Sequence, residues 1–194
     1  MTKILRRILL LSLIMIPILV CRSQSVGIKT NLISDAVTTP NLGVEIKLAP
    51  KWTLDISGQL NAWNIHQRRW RHWMVQPEAR WWFCEAFQGS FWALHGIGGH
   101  FNIGNIDNNI KFLGSDFSKL KDHRYQGWGA GGGIGYGYAW ILGKHWNLEF
   151  EIGVGVIYTK YDRYPCAVCG TKEGDGHHIY YGPTKLSLAI EYLF

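Results

Sequence analysis

Leu186-Ser187-Leu188-Ala189-Ile190-Glu191-Tyr192-Leu193-Phe194 decides the fold. Leu186, Leu188, Ile190, Tyr192 and Phe194 fall on one face of an extended chain. Lys185, Ser187, Ala189 and Glu191 fall on the other, where Leu193 is the one large apolar residue. A period of two is the mark of a β-strand whose faces meet different surroundings. The same period runs upstream. Trp146, Leu148, Phe150, Ile152, Val154, Val156 and Tyr158 alternate with Asn147, Glu149, Glu151, Gly153 and Gly155. Trp52 to Asn61, Leu42 to Leu48 and Trp73 to Phe83 repeat it, with Glu45, Lys47, Asp55, Glu78 and Arg80 on the polar side.

Three further runs complete the set. Glycine takes every second position from Gly127 to Gly137, opposite Trp128, Ala130, Ile134, Tyr136, Tyr138 and Trp140. A glycine face leaves room inside a narrow barrel and permits strong curvature. A phosphate-cradling glycine loop would need a helix and a Lys-Ser/Thr pair after it, and neither follows. Residues 90–102 are apolar on both faces, so their direction stays open. Val26, Ile28, Thr30 and Leu32 alternate with Lys29 and Asn31 in the first run. The expected strands are 25–36, 40–49, 52–63, 73–84, 90–102, 125–142, 146–161 and 182–194. Each is long enough to cross a bilayer when tilted, which takes about 9–11 residues. Residues 50–51, 85–89 and 143–145 read as short turns. Residues 64–72, 103–124 and 162–181 read as long polar loops, and the connection near 37–39 is a short one on their side. Long connections on one side and short turns on the other suit an outer-membrane barrel.

The first 23 residues read as a separate unit. Lys3, Arg6 and Arg7 precede the apolar run Ile8 to Val20, which only Ser12 and Pro17 interrupt, and Cys21-Arg22-Ser23 precedes Gln24. That is the pattern of a secretory signal peptide, too short for an ordinary membrane helix. Val20 stands where a lipobox carries a small residue, so Cys21 is not expected to be lipidated. Removing residues 1–23 takes away Lys3, Arg6, Arg7 and Arg22 and no acid, which lowers the formal charge from +6 to +2. The basic balance of the whole chain therefore belongs largely to the leader, and nucleic acid is not an expected partner. Residues 24–194 are expected to form one domain.

Alternation does not say which face is inside. A secreted eight-stranded barrel puts its apolar face inward. Here the polar face carries Lys29, Glu45, Lys47, Asp55, Glu78, Arg80, Glu149, Glu151, Lys185 and Glu191, a mixture of signs that can pair within a narrow lumen. Trp52, Trp81, Phe83, Phe91, Trp140, Trp146, Tyr192 and Phe194 gather toward one end of the strands, and Trp73, Phe101, Trp128 and Tyr158 toward the other. Such girdles suit rings at the headgroup level. The expected fold is an all-β, eight-stranded antiparallel up-and-down transmembrane β-barrel.

Tyr192 and Phe194, with apolar residues at every second position before them, resemble the signal by which outer-membrane barrels are recognised for assembly. Size, strand number and charged lumen resemble the small OmpA/OmpX-type barrels. Ser23-Gln24, the opening Val26-Gly27-Ile28-Lys29-Thr30-Asn31-Leu32 and the closing Leu186 to Phe194 resemble a family of small Bacteroidota barrels often encoded near fimbrial-assembly genes. The resemblance implies the outer membrane of a Gram-negative bacterium, the barrel-assembly machinery as a partner, and an association with fimbrial or other envelope proteins. It brings no catalytic residues.

Two outer segments carry chemistry. His66-Gln67-Arg68-Arg69-Trp70-Arg71-His72 is basic and aromatic. Arg68, Arg69 and Arg71 are candidate contacts to the sugar phosphates of lipopolysaccharide, which guanidinium grips bidentately; a solvated positive loop is the plainer reading. Cys166-Ala167-Val168-Cys169 precedes His177-His178. In an exported loop the expected state is a Cys166–Cys169 disulfide, and a zinc site completed by histidine is the alternative. Cys84 is expected to stay an unpaired thiol. Ser57, Ser90, His95 and His100 show no triad spacing. No cofactor or resident metal is expected. The function read from the sequence is a non-enzymatic envelope anchor or interaction component working through its outer loops. A lipid-A-modifying enzyme and a narrow pore are the alternatives. Intact mass after alkylation without reductant should find Cys84 modified and Cys166 and Cys169 protected; alkylation of all three with no zinc present rules out both a disulfide and a metal clasp.

Overall fold

The computed structural model describes residues 24–65, 68–104, 111–112, 115–116, 123–165 and 170–194. Each alternating run forms a strand. These are β1 (Val26–Asn31), β2 (Asn41–Ala49), β3 (Trp52–Ile65), β4 (Arg68–Trp82) and β5 (Gly89–Gly104). After them come β8 (Arg124–Ile141), β9 (Trp146–Tyr164) and β10 (Gly174–Leu193). Two short strands, β6 (Lys111–Phe112) and β7 (Ser115–Asp116), pair only with each other. The other eight close a ring in which every strand lies antiparallel to its neighbours. β1 pairs with β10 from Gly27↔Leu193 to Asn31↔Ala189, which removes the last sheet edge. The fold is an all-β, eight-stranded antiparallel up-and-down barrel.

One end of the barrel, the base, holds both ends of the ring and the turns at 50–51, 83–88 and 142–145. There the Phe194 N–H donates to the Val26 carbonyl at 2.9 Å. The opposite end, the rim, carries the remaining connections. The short one follows β1, where Leu32–Ala36 turns into a single helical turn, α1, rather than extending the strand. Asn31 causes this change: its side-chain oxygen accepts from the Ile33 N–H at 3.1 Å, the bond of a helix N-cap. At the rim β4 begins five residues before the expected 73 and β10 eight before the expected 182. The β3–β4 ladder continues through Trp63↔Trp70 to Ile65↔Arg68, and β9–β10 through Gly174↔Arg163. Much of the expected loops at 64–72 and 162–181 is therefore paired strand. Strand length rises round the ring, from 6 residues in β1 and 9 in β2 to 20 in β10, so the rim slopes.

The polar face is inside. Glu45, Asp55, Glu78, Arg80, Glu149, Glu151 and Glu191 are buried, while Leu42, Ile56, Val75, Ile152, Val154 and Leu186 are exposed on the outer face. In β5, where alternation left the direction open, Phe91, Ala93 and His95 point inward and Trp92 and Leu94 outward. Two aromatics differ from the expected girdles. Phe91 is fully buried and its ring lies 4.5 Å from that of Trp82. Phe101 shares its parity and lines the lumen. Trp52, Trp81, Phe83, Trp140, Trp146 and Phe194 do face outward near the base, and Trp73, Trp128 and Tyr158 nearer the rim.

Inward glycines make the room that the lumen needs. A Cβ on Gly135 would lie 2.8 Å from a Glu151 oxygen, one on Gly27 2.1 Å from Glu191, and one on Gly137 2.3 Å from the Phe91 ring. Gly137→Ala should therefore lower stability in detergent refolding by about 1–3 kcal/mol through overpacking. Gly143→Ala, in an open turn with nothing within 4 Å, should stay within roughly 0.5 kcal/mol. Equal effects would contradict this packing.

Candidate functional site

The lumen is layered from base to rim. At the base Trp82, Ala86, Phe87, Phe91, Ala93, Ala139 and Leu193 form an apolar plug. The 83–88 turn folds inward to build it. Phe87 adopts φ +70°, a left-handed conformation that costs roughly 1–2 kcal/mol, and its ring is buried beside Trp82 at 6.3 Å. The plug's polar atoms are satisfied: Trp82 Nε1 donates to Thr53 Oγ1 at 2.9 Å, and Asn147 Nδ2 to the Phe87 carbonyl at 2.7 Å.

Above the plug lies the charged layer, to which seven of the eight barrel strands contribute polar side chains and β8 contributes glycine. Arg80 is its hub. Nε donates to Glu78 at 2.6 Å, Nη1 to Glu45 at 2.6 Å and Glu149 at 3.0 Å, and Nη2 to Glu151 at 3.0 Å. The guanidinium carbon also sits 4.5 Å from the centre of the Phe91 ring, which joins this layer to the plug. Lys29 Nζ contacts Glu45, and lies 2.9 Å from both Asp55 and Glu149 and 3.6 Å from Glu191. Lys185 contacts Glu78 and reaches Glu151 at 3.1 Å. His95 Nε2 is 2.8 Å from Thr184 Oγ1. The structure thus brings together Lys29, Glu45, Asp55, Glu78, Arg80, Glu149, Glu151, Lys185 and Glu191. It separates Lys47, which pairs with the exposed Glu85 at 3.5 Å near the base.

Two acidic groups in this layer have the spacing of metal ligands: Glu78, His95 and Glu151, and Glu45, Glu149 and Glu191. Each already encloses a cation, the Lys185 ammonium in the first and the Lys29 ammonium in the second. A dication would have to displace a lysine, so the chemistry of these groups is ion pairing. Carboxylates still outnumber cations. Both oxygens of Glu191 and of Asp55, and one each of Glu45, Glu149 and Glu151, are buried without a hydrogen-bond partner.

The remaining candidates are dispersed. Arg68, Arg69 and Arg71 stand in the rim extension of β4, within the strand and not in a loop, and Arg71 is exposed. Cys166 and Cys169 lie outside the described residues. Cys84 is a free, exposed thiol just past β4. His177 and His178 are consecutive in β10 and so face opposite sides of the wall; His177 stacks outside on Tyr158 at 6.1 Å. Both therefore cannot close one zinc site with the cysteines while this strand persists. Ser90 accepts from the Tyr136 hydroxyl at 2.9 Å on the outer face, whereas His95 and Ser57 face the lumen and His100 has the opposite parity. Tyr192 sits between Trp146 and Phe194, each ring 4.9 Å away, outside the seam where β10 meets β1.

Sequence reasoning missed the plug and the rim half of the lumen. Two cavities occupy that half. One, of about 190 Å³, has a mixed lining and lies over Lys29, Asp55, Arg80 and Lys185. The other, of about 320 Å³, is walled mainly by apolar side chains. The inward parity of Met74, Ile97 and Ile157 was the available signal, hidden in β5 by residues that are apolar on both faces.

A family model described as Protein of unknown function (DUF3575) matches residues 8–194. No curated protein matches the chain significantly.

The surplus of acids gives the charged layer an asymmetry that can be measured. Arg80→Met leaves its four carboxylates with only two lysines between them and should cost about 3–5 kcal/mol in detergent refolding. Glu191→Gln removes one surplus charge whose oxygens lack hydrogen bonds, and should cost markedly less. A Glu191 variant as damaged as the Arg80 variant would contradict the hub.

Proposed function

The chain belongs to the family described as Protein of unknown function (DUF3575), and on the geometry of its barrel we propose that it is a non-enzymatic outer-membrane protein, an envelope anchor or interaction component that works through its rim. One observation carries this reading: the barrel has its charges buried in the lumen and its aliphatic side chains exposed on the outer wall. Water would penalise that wall, and a lipid bilayer is the solvent that suits it. A closed ring leaves no unpaired edge, as a membrane-spanning sheet requires. Among the described residues no helix is long and apolar enough to cross a membrane; on the proposed reading the strands do so.

The finer reading follows the resemblance to small OmpA/OmpX-type barrels and to a family of small Bacteroidota barrels. Residues 1–23 direct export, Tyr192 and Phe194 present the seam to the assembly machinery, and the rim meets lipopolysaccharide through Arg68, Arg69 and Arg71. Fimbrial or other envelope proteins are the proposed partners. The plug and the charged layer fill the base half of the lumen, which argues against a pore. Ser57 shares the lumen with His95, but its hydroxyl bonds the Gln76 carbonyl while His95 bonds the Thr184 hydroxyl, and Ser90 bonds Tyr136 on the outer face, which argues against a serine–histidine centre for lipid modification.

Ile152→Arg tests the membrane reading. This outward side chain is half-exposed, and a surface arginine in water should change stability by no more than roughly 0.5 kcal/mol. At a bilayer midplane the cost is about 2–4 kcal/mol. Refolding into lipid vesicles should show the larger penalty, and the smaller one would return the barrel to water. Mass spectrometry of lipid A from a deletion strain should match its parent; an altered acylation pattern would turn the reading to an enzyme.

A further inference from the structure

The rim half of the lumen is divided by chemistry. On the β4–β5–β9 side, Trp70, Met74, Ile97, Phe101, Ile103 and Ile157 wall the cavity of about 320 Å³. On the opposite side, Gln59, Gln76, Thr184 and Ser187 wall the cavity of about 190 Å³, whose floor is the charged layer. Met74 borders both. We propose that this divided space is a binding site for a single-chain amphiphile, with the hydrocarbon chain against Ile97 and Ile157 and the polar head toward Gln59 and Gln76.

Three features support the assignment. Apolar side chains that wall an open cavity favour a hydrocarbon occupant over water. The charged layer and the plug close the way to the base, so a chain entering from the rim half meets a floor. Met74 stands at the boundary with a flexible thioether side chain that adapts to different chain shapes.

The β4–β5 ladder is interrupted beside the cavity. The β4–β5 ladder pairs Val75 with Gly98 and Glu78 with His95, and no pair joins Gln76 and Pro77 to Gly96 and Ile97. Pro77 has no N–H to give, and its ring lies against Gly96, 3.5 Å from where a Cβ there would sit. Ile97 lies at the gap and lines the cavity. Lateral entry of a lipid chain here rests on the membrane reading, whereas the cavity is a property of the barrel in any surroundings.

Nuclear Overhauser spectroscopy on methyl-labelled barrel in dodecylphosphocholine micelles tests the site with the detergent itself as probe. Micelles make the result independent of whether the barrel resides in a membrane, which the Ile152 variant addresses separately. Dodecyl methylenes should give cross-peaks to the Met74, Ile97 and Ile157 methyls as well as to the outward Ile56 and Ile152. Cross-peaks to the outward methyls alone overturn the proposal. Choline methyl cross-peaks to the Gln59 or Gln76 side-chain amide mark the head, and chain contacts without them overturn the amphiphile pose. Met74→Trp should abolish the Ile97 and Ile157 cross-peaks and keep the outward ones; their persistence overturns the site. If that variant does not fold, Gly129→Val, which fills the space beside Ile157 and Thr159, serves the same purpose, and the wild-type pattern decides by itself.

Discussion

A guanidinium held inside a ring of carboxylates is the constraint on which this barrel depends. Arg80 meets Glu45, Glu78, Glu149 and Glu151, which come from β2, β4 and β9, and so ties opposite walls of the ring together. Burying charge is costly unless it is paired, and an arginine offers five N–H donors in a fixed plane to pair with. That geometry sets the register of several strands at once, because a shift by one residue would turn a carboxylate out to the apolar face. Other features follow from it. Glycines face inward where the charged side chains need space, and Phe91 places its ring under the guanidinium. Lys29 reaches Glu191, which the arginine does not, and lies nearer than the arginine to Asp55, while Lys185 shares Glu78 and Glu151 with it.

The three layers of the lumen obey different rules. The plug is a small hydrophobic core made by one inward turn, and it accepts an unfavourable backbone at Phe87 in return for a buried ring. The charged layer holds nine ionic side chains at fixed distances. The rim half is looser and mixed, with Met74 where its polar and apolar walls meet. On the opposite side of the lumen, the register of β10 shifts between Pro183 and Lys185, and the shift lets both Thr184 and Lys185 face inward. One irregularity therefore supplies both the partner of His95 and a cation of the ionic layer.

Most of the barrel was legible in the sequence because two unlike faces leave a period-two pattern wherever a strand passes between unlike surroundings. Lys29, Glu45, Asp55, Glu78, Arg80, Glu149, Glu151, Lys185 and Glu191 could be put on one face from parity alone. Legibility failed where the physics behind the pattern changes. Arg68 to His72 and Gly174 to Tyr181 extend strands beyond the part with strict alternation, so they read as loops. Leu32 continued the parity of β1, but a local bond from Asn31 won over strand propensity. Phe91 and Phe101 read as girdle residues because β5 is apolar on both sides, and only the closed ring fixes their direction. Lys47 has the right parity but sits too close to the base to join the cluster.

The sloping rim has a consequence of orientation. β10 has 20 residues and β2 has 9, and at about 3.3 Å per residue the first is roughly twice the length of the second. The excess on the β8–β10 side therefore rises beyond the β1–β2 side as a paired fin. A cylinder of even height looks the same to neighbours in every direction. This one has a front and a back, so its heading is a property that whatever meets its rim can read.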